Sequence, residues 1–102
     1  MNHRKGEDAI RTLGVCATYK GYFFLTEIVE QLLNGVPYGT GLLRDVAVRH
    51  HTTLTAVHCG LRTVRKNIMR QVPDVYLELF GTGSVSTARL VCTVAEYAAH
   101  RQ

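Results

Sequence analysis

Residues 50–69, HHTTLTAVHCGLRTVRKNIM, decide how this chain is read. Projected at about 100° per residue, Leu54, Val57, Leu61, Val64 and Ile68 fall in one narrow sector. The spacing predicts an amphipathic helix over 53–70 with that sector turned to a core. Its opposite side presents Thr55, Ala56, Cys59, Arg62, Thr63, Lys66 and Arg70, with His58 and Arg65 on one flank. Immediately upstream, GLLRDVAVR (41–49) repeats the helical period, and Val46 and Ala47 face the same seam. The two segments, about 41–50 and 53–70, meet at His50-His51-Thr52 and have the outline of a helix-turn-helix. A small residue such as Ala47 at the seam allows the close crossing this motif needs. His51 stands where the turn usually carries glycine.

Charge singles out the same stretch. Residues 41–70 hold Arg44, Arg49, Arg62, Arg65, Lys66 and Arg70 against Asp45 alone, whereas the other 72 residues carry six basic and seven acidic groups. The chain's net charge of +4 is therefore a local field, and its natural partner is a polyanion. A solvated basic face is the competing reading. On the second helix, small side chains toward the N-terminal end admit a groove floor. Arg62 and Lys66, one turn apart, reach for base edges or phosphates. Thr52 and Thr53 offer hydroxyls and helix N-terminal amides to a phosphate, as Arg65 and Arg70 offer guanidinium groups.

The rest of the chain reads as further helices. DAIRTL (8–13) is a short amphipathic segment stopped by Gly14, and YFFLTEIVEQLL (22–33) has the wide apolar surface of a central helix, ended by Asn34-Gly35. PDVYLELF (73–80) starts on a proline suited to a first turn, with Asp74 beside it. Ser86 or Thr87 can cap a last helix in which Leu90, Val94, Tyr97 and Ala98 share a face. The expected architecture is all-α: a six-helix bundle in one domain over 1–102, with 1–7 as a flexible tail. A short strand within the Val- and Thr-rich 84–94 is the alternative there.

Composition narrows the class. With 46% hydrophobic and 20% charged residues the chain is globular, long enough for a core without staples. Cys16, Cys59 and Cys92 are odd in number, far apart and never in a C-x-x-C pair, which suggests free thiols in a reducing cytoplasm. No secretory signal is visible and no apolar run approaches the ~18 residues a membrane span requires, so a soluble cytoplasmic protein without membrane association is expected. No catalytic constellation appears and no cofactor is implied, so the expectation is a non-enzyme. His50, His51 and His58 lack a fourth ligand, so no metal site is expected. Cys59 invites a dimer disulfide or an oxidant sensor, against the plainer reading of a small surface residue; Cys16 and Cys92 read as core or boundary positions. Tyr19, Tyr22, Phe23 and Phe24 read as core. In Lys20-Gly21-Tyr22, Lys20 can hold a phosphate that Gly21 lets approach, although a plain helix start explains the same residues.

Three stretches together carry a family resemblance. LGVCATYKGYFFLTEIVEQLLN (13–34), DVAVRHHTTLTAVHCGLRTVRKNIM (45–69) and LFG (79–81), in that order, resemble the C-terminal DNA-binding effector domain of the stage-zero sporulation response regulators. The resemblance implies six helices around a helix-turn-helix, Thr52 to Asn67 as the recognition element, and Arg62 as a retained member of the family's arginine set. It also implies double-stranded DNA as partner, tandem or homodimeric binding on it, and contact with the polymerase sigma subunit. Departures are as informative. Ala56 and Cys59 stand where the family commonly has arginine, and His58 where it has glutamate. The loops at 35–44 and 82–88 look shorter, and these 102 residues hold no phosphoacceptor receiver domain. Bidentate arginine is the commonest specific contact to guanine, worth ~1–3 kcal/mol of discrimination, so the loss of two is expected to erase the family's usual base preference or weaken it strongly. The expected function is a sequence-specific or semi-specific transcription regulator, stand-alone and diverged. The alternative is a protein-interaction module that docks on sigma factor, on itself or on a full-length homologue.

Overall fold

A computed structural model describes residues 9–15 and 20–100. These are all helix and connections, with no strand among the described residues. Residues 9–12 form a helical turn, α1, followed by α2 (Lys20–Leu33), α3 (Thr40–Arg49), α4 (Leu54–Gln71), α5 (Pro73–Phe80) and α6 (Thr87–Ala99). The alternative strand at 84–94 does not form: Ser86 accepts a hydrogen bond from the Arg89 amide and starts α6 instead. The expected tail at 1–7 lies outside the described residues.

The core is built on α2, which packs chiefly against α4 and α6. Tyr22, Phe24, Leu25, Ile28 and Val29 are all buried on it. The α4 seam meets them: Val57, Leu61, Val64 and Ile68 are wholly buried, and Leu54 packs half-buried at the edge. From α6 come Leu90, Val91, Val94, Ala95 and Ala98, from α3 Leu42, Leu43, Val46 and Ala47, and from α5 Tyr76 and Phe80. A wide apolar stripe on one helix, flanked by narrower stripes on its neighbours, has this as its simplest burial solution.

Three chain reversals share one device. After α1, the Gly14 amide donates to Arg11 O and the Val15 amide to Ile10 O; after α2, Gly35 donates to Leu32 O and Val36 to Gln31 O. Both glycines take positive φ, +84° and +92°, as this helix stop requires. After α3 the pattern recurs with His51 donating to Val48 O and Thr52 to Ala47 O. Here His51, not a glycine, occupies the left-handed region at φ +54°, alone among the described non-glycine residues. A side chain there costs ~1 kcal/mol or more that glycine avoids. His51→Gly is therefore expected to raise the urea midpoint, by roughly 0.5–1 kcal/mol of stability. A lowered midpoint would mean that the His51 side chain makes compensating contacts.

The end of α3 is also fastened by side chains. Glu27 on α2 accepts from Arg49, and its other oxygen lies 3.0 Å from His50 Nε2. The His50 ring stands edge-on to Phe24, with centroids 5.2 Å apart. The turn of the motif is thus anchored to α2, which fixes the start of α4.

Two glycines set how near α4 comes to α2. A Cβ on Gly21 would lie 2.3 Å from the Gly60 carbonyl oxygen and 2.5 Å from Val64 Cγ2. A Cβ on Gly60 would fall 2.9 Å from the Phe24 ring. The two backbones are in direct contact, and only glycine on each side permits it. Gly21 serves this helix crossing, not the approach of a phosphate suggested by its place after Lys20. At the far end of α4, buried Asn67 donates to the Gly14 carbonyl at 3.0 Å and joins α4 to the stop of α1.

Candidate nucleic-acid interface

With its seam committed to the core, α4 leaves its other surface in solvent. Thr55, Cys59, Arg62, Thr63, Lys66 and Arg70 are exposed, and Ala56 is half-buried. The Thr53 hydroxyl accepts the Ala56 amide at 3.1 Å and caps the helix, so its oxygen is engaged while its proton remains a donor. Thr63 donates to Cys59 O, one turn back on its own helix.

The basic groups divide by what they touch. Arg49 is neutralised by Glu27. Arg65 is half-buried and donates to the Tyr76 hydroxyl at 3.2 Å, a neutral partner that orients the guanidinium without cancelling its charge. Arg44, Arg62, Lys66 and Arg70 make no hydrogen bond or ion pair among the described residues. Among the described residues no acidic side chain forms an ion pair with the outward face of α4, whose Arg62, Thr63, Lys66 and Arg70 are exposed. Unpaired cations at this density cost free energy by mutual repulsion, which a bound polyanion relieves.

The fold also collects distant residues around the helix. Lys20 shares a shallow cleft with Phe23, Phe24, His50, His51 and Thr52, which places it beside the turn leading into α4. Thr63, Lys66, Asn67 and Arg70 line a second depression along the same helix. A third cleft, between α4 and the start of α6, is lined by Arg62, Arg65, Val85, Ser86, Thr87 and Leu90.

Some residues sit differently from expectation. His58 is half-buried, its Nδ1 3.1 Å from the Thr87 hydroxyl, so it faces α6 and not the open side of α4. Arg65 leans toward α5. Cys92 is exposed on α6, not a core or boundary residue, because α6 turns Val91 and Val94 inward instead. Cys59 is exposed, as its place on the helix requires. Of the aromatic residues read as core, Tyr22 and Phe24 are buried, Phe23 is 49% exposed, and Tyr19 lies outside the described residues with Cys16. His50, His51 and His58 do not converge, and no group of three or more potential metal ligands forms among the described residues. No described helix is long and apolar enough to cross a membrane.

Sequence reasoning missed the packing roles of Gly60 and Asn67. Ser86 and Thr87 had a legible role as caps, but their nearness to Arg62 is tertiary. No family model, no curated protein and no solved structure matches this chain.

Proposed function

We propose that this protein is a DNA-binding transcription regulator that lays the outward face of α4 in a major groove. The observation that carries the reading is the row of exposed cations, Arg62, Lys66 and Arg70, on the second helix of a helix-turn-helix, with no hydrogen-bond or ion-pair partner among the described residues. Lys20 and Thr52, in one cleft at the start of the helix, extend the row toward a backbone phosphate. The resemblance of 13–34, 45–69 and 79–81 to sporulation effector domains points the same way.

The roles follow from position. Arg62 and Lys66 reach bases or phosphates; Thr52, Thr53, Arg65, Arg70 and Lys20 hold phosphates. Thr55, Ala56, Cys59 and Thr63 form a small-residue surface that lets the backbone near the groove floor. A helix with no long donors at 56 and 59 reads fewer bases, so affinity rests on phosphates and specificity is modest.

Fluorescence anisotropy with a labelled duplex tests this. About four phosphates neutralised give log affinity against log salt a slope near −4, or roughly a hundredfold loss between 50 and 200 mM salt. Selection from random duplexes at near-physiological salt should return a short, weakly constrained motif. Affinity that ignores salt, or no binding at 50 mM, would end the reading in favour of a protein-docking module.

A further inference from the structure

We propose that the cleft between α4 and the start of α6 is a seat for one backbone phosphate of the duplex, so that α6 belongs to the DNA footprint. The inference rests on the DNA-binding reading above and adds a contact outside the helix-turn-helix.

Arg62 and Arg65, one turn apart on α4, line a cleft of about 170 Å³ together with Val85, Ser86, Thr87 and Leu90, and no carboxylate is among the lining residues. Two guanidinium groups lining one cleft repel one another, and an anion held between them relieves that repulsion. Arg62 has no partner among the described residues, and Arg65 is steadied by Tyr76, whose hydroxyl brings no charge. The fixed arginine and the free one suit a single tetrahedral anion, since guanidinium donors match phosphate oxygens in pairs. On the other wall the Ser86 oxygen accepts from the Arg89 amide, so its proton is still available for donation. Thr87 is held by His58. His58, Arg62 and Arg65 share one flank of α4 at helical spacing, and α6 starts against that flank. That flank is thereby suited to the DNA strand beside the groove.

Ser86→Asp tests the proposal. Aspartate caps a helix as well as serine does, so α6 is kept while a negative charge enters the cleft. Ser84→Asp places the same charge two residues away on an exposed position outside the lining. In anisotropy with the same duplex, Ser86→Asp should bind at least fivefold more weakly than wild type and Ser84→Asp less than twofold. Equal loss in both would reduce the effect to general charge repulsion and overturn the seat, with the DNA-binding reading intact. If wild type binds no duplex, that reading falls and the seat with it. Should Ser86→Asp unfold, wild-type amide NMR serves: Ser86 and Thr87 resonances must move when duplex is added, and resonances left in place overturn the proposal.

Discussion

Gly21→Ala is expected to remove about 2–4 kcal/mol of stability, although alanine favours a helix by ~1 kcal/mol over glycine. The added methyl would lie 2.3 Å from the Gly60 carbonyl oxygen and 2.9 Å from its carbon. Those are backbone atoms in the middle of α4, so no rotamer change relieves the contact. The helices must move apart, and the burial of Val57, Leu61 and Val64 against α2 is loosened with them. A domain of this size has only roughly 5–15 kcal/mol in total, so the urea midpoint should fall far. Gly41→Ala is the matched control. Gly41 lies in the first turn of α3, where an added Cβ meets nothing within 4 Å, and this change should be neutral or stabilising by up to ~1 kcal/mol. If Gly21→Ala proves as stable as Gly41→Ala, the contact between α2 and α4 is not as close as described.

The second large effect concerns binding. Reversing both Arg62→Glu and Lys66→Glu should weaken duplex affinity about 30-fold or more, since each lost phosphate or base contact is worth ~1–3 kcal/mol. The salt slope should flatten by about two units as two phosphates lose their partners. Both side chains are exposed and without partners, so the thermal midpoint should stay put or rise as repulsion with Arg65 and Arg70 is relieved. An affinity loss accompanied by unfolding would say nothing of DNA; an unchanged affinity with an intact fold would remove α4 as the contact surface.

Much of this architecture is legible because it rests on local rules. The seam Leu54, Val57, Leu61, Val64 and Ile68 is a periodicity, and Asn34-Gly35 and Pro73 are stop and start signals that act within one turn. Helix ends lie within a residue or two of expectation, and the expected bounds of α5, 73–80, match those observed. The candidate site is legible only in part. Exposure of Arg62, Lys66 and Arg70 follows from their angle to the seam. The direction of His58 and Arg65 does not, because both sit at the boundary, where a neighbouring Thr87 or Tyr76 decides which way a long side chain leans. Cys92 shows the same ambiguity: a helix with Leu90, Val91, Val94, Ala95 and Ala98 buried has an apolar arc that could have taken in Cys92, and only the way α6 packs on α2, α4 and α5 leaves it exposed.

By itself the sequence determined the helices, their order, their inward faces and a concentration of positive charge on one of them, since period, caps and formal charge are properties of neighbours along the chain. Only the tertiary structure decided that Gly21 meets Gly60, that Asn67 fastens to Gly14, and that Ser86 comes to lie across from Arg62. Those pairings join residues 24 to 53 positions apart. Such contacts follow from how far a helix rotates and slides when its stripe is buried, a choice settled by the packing of the whole core at once.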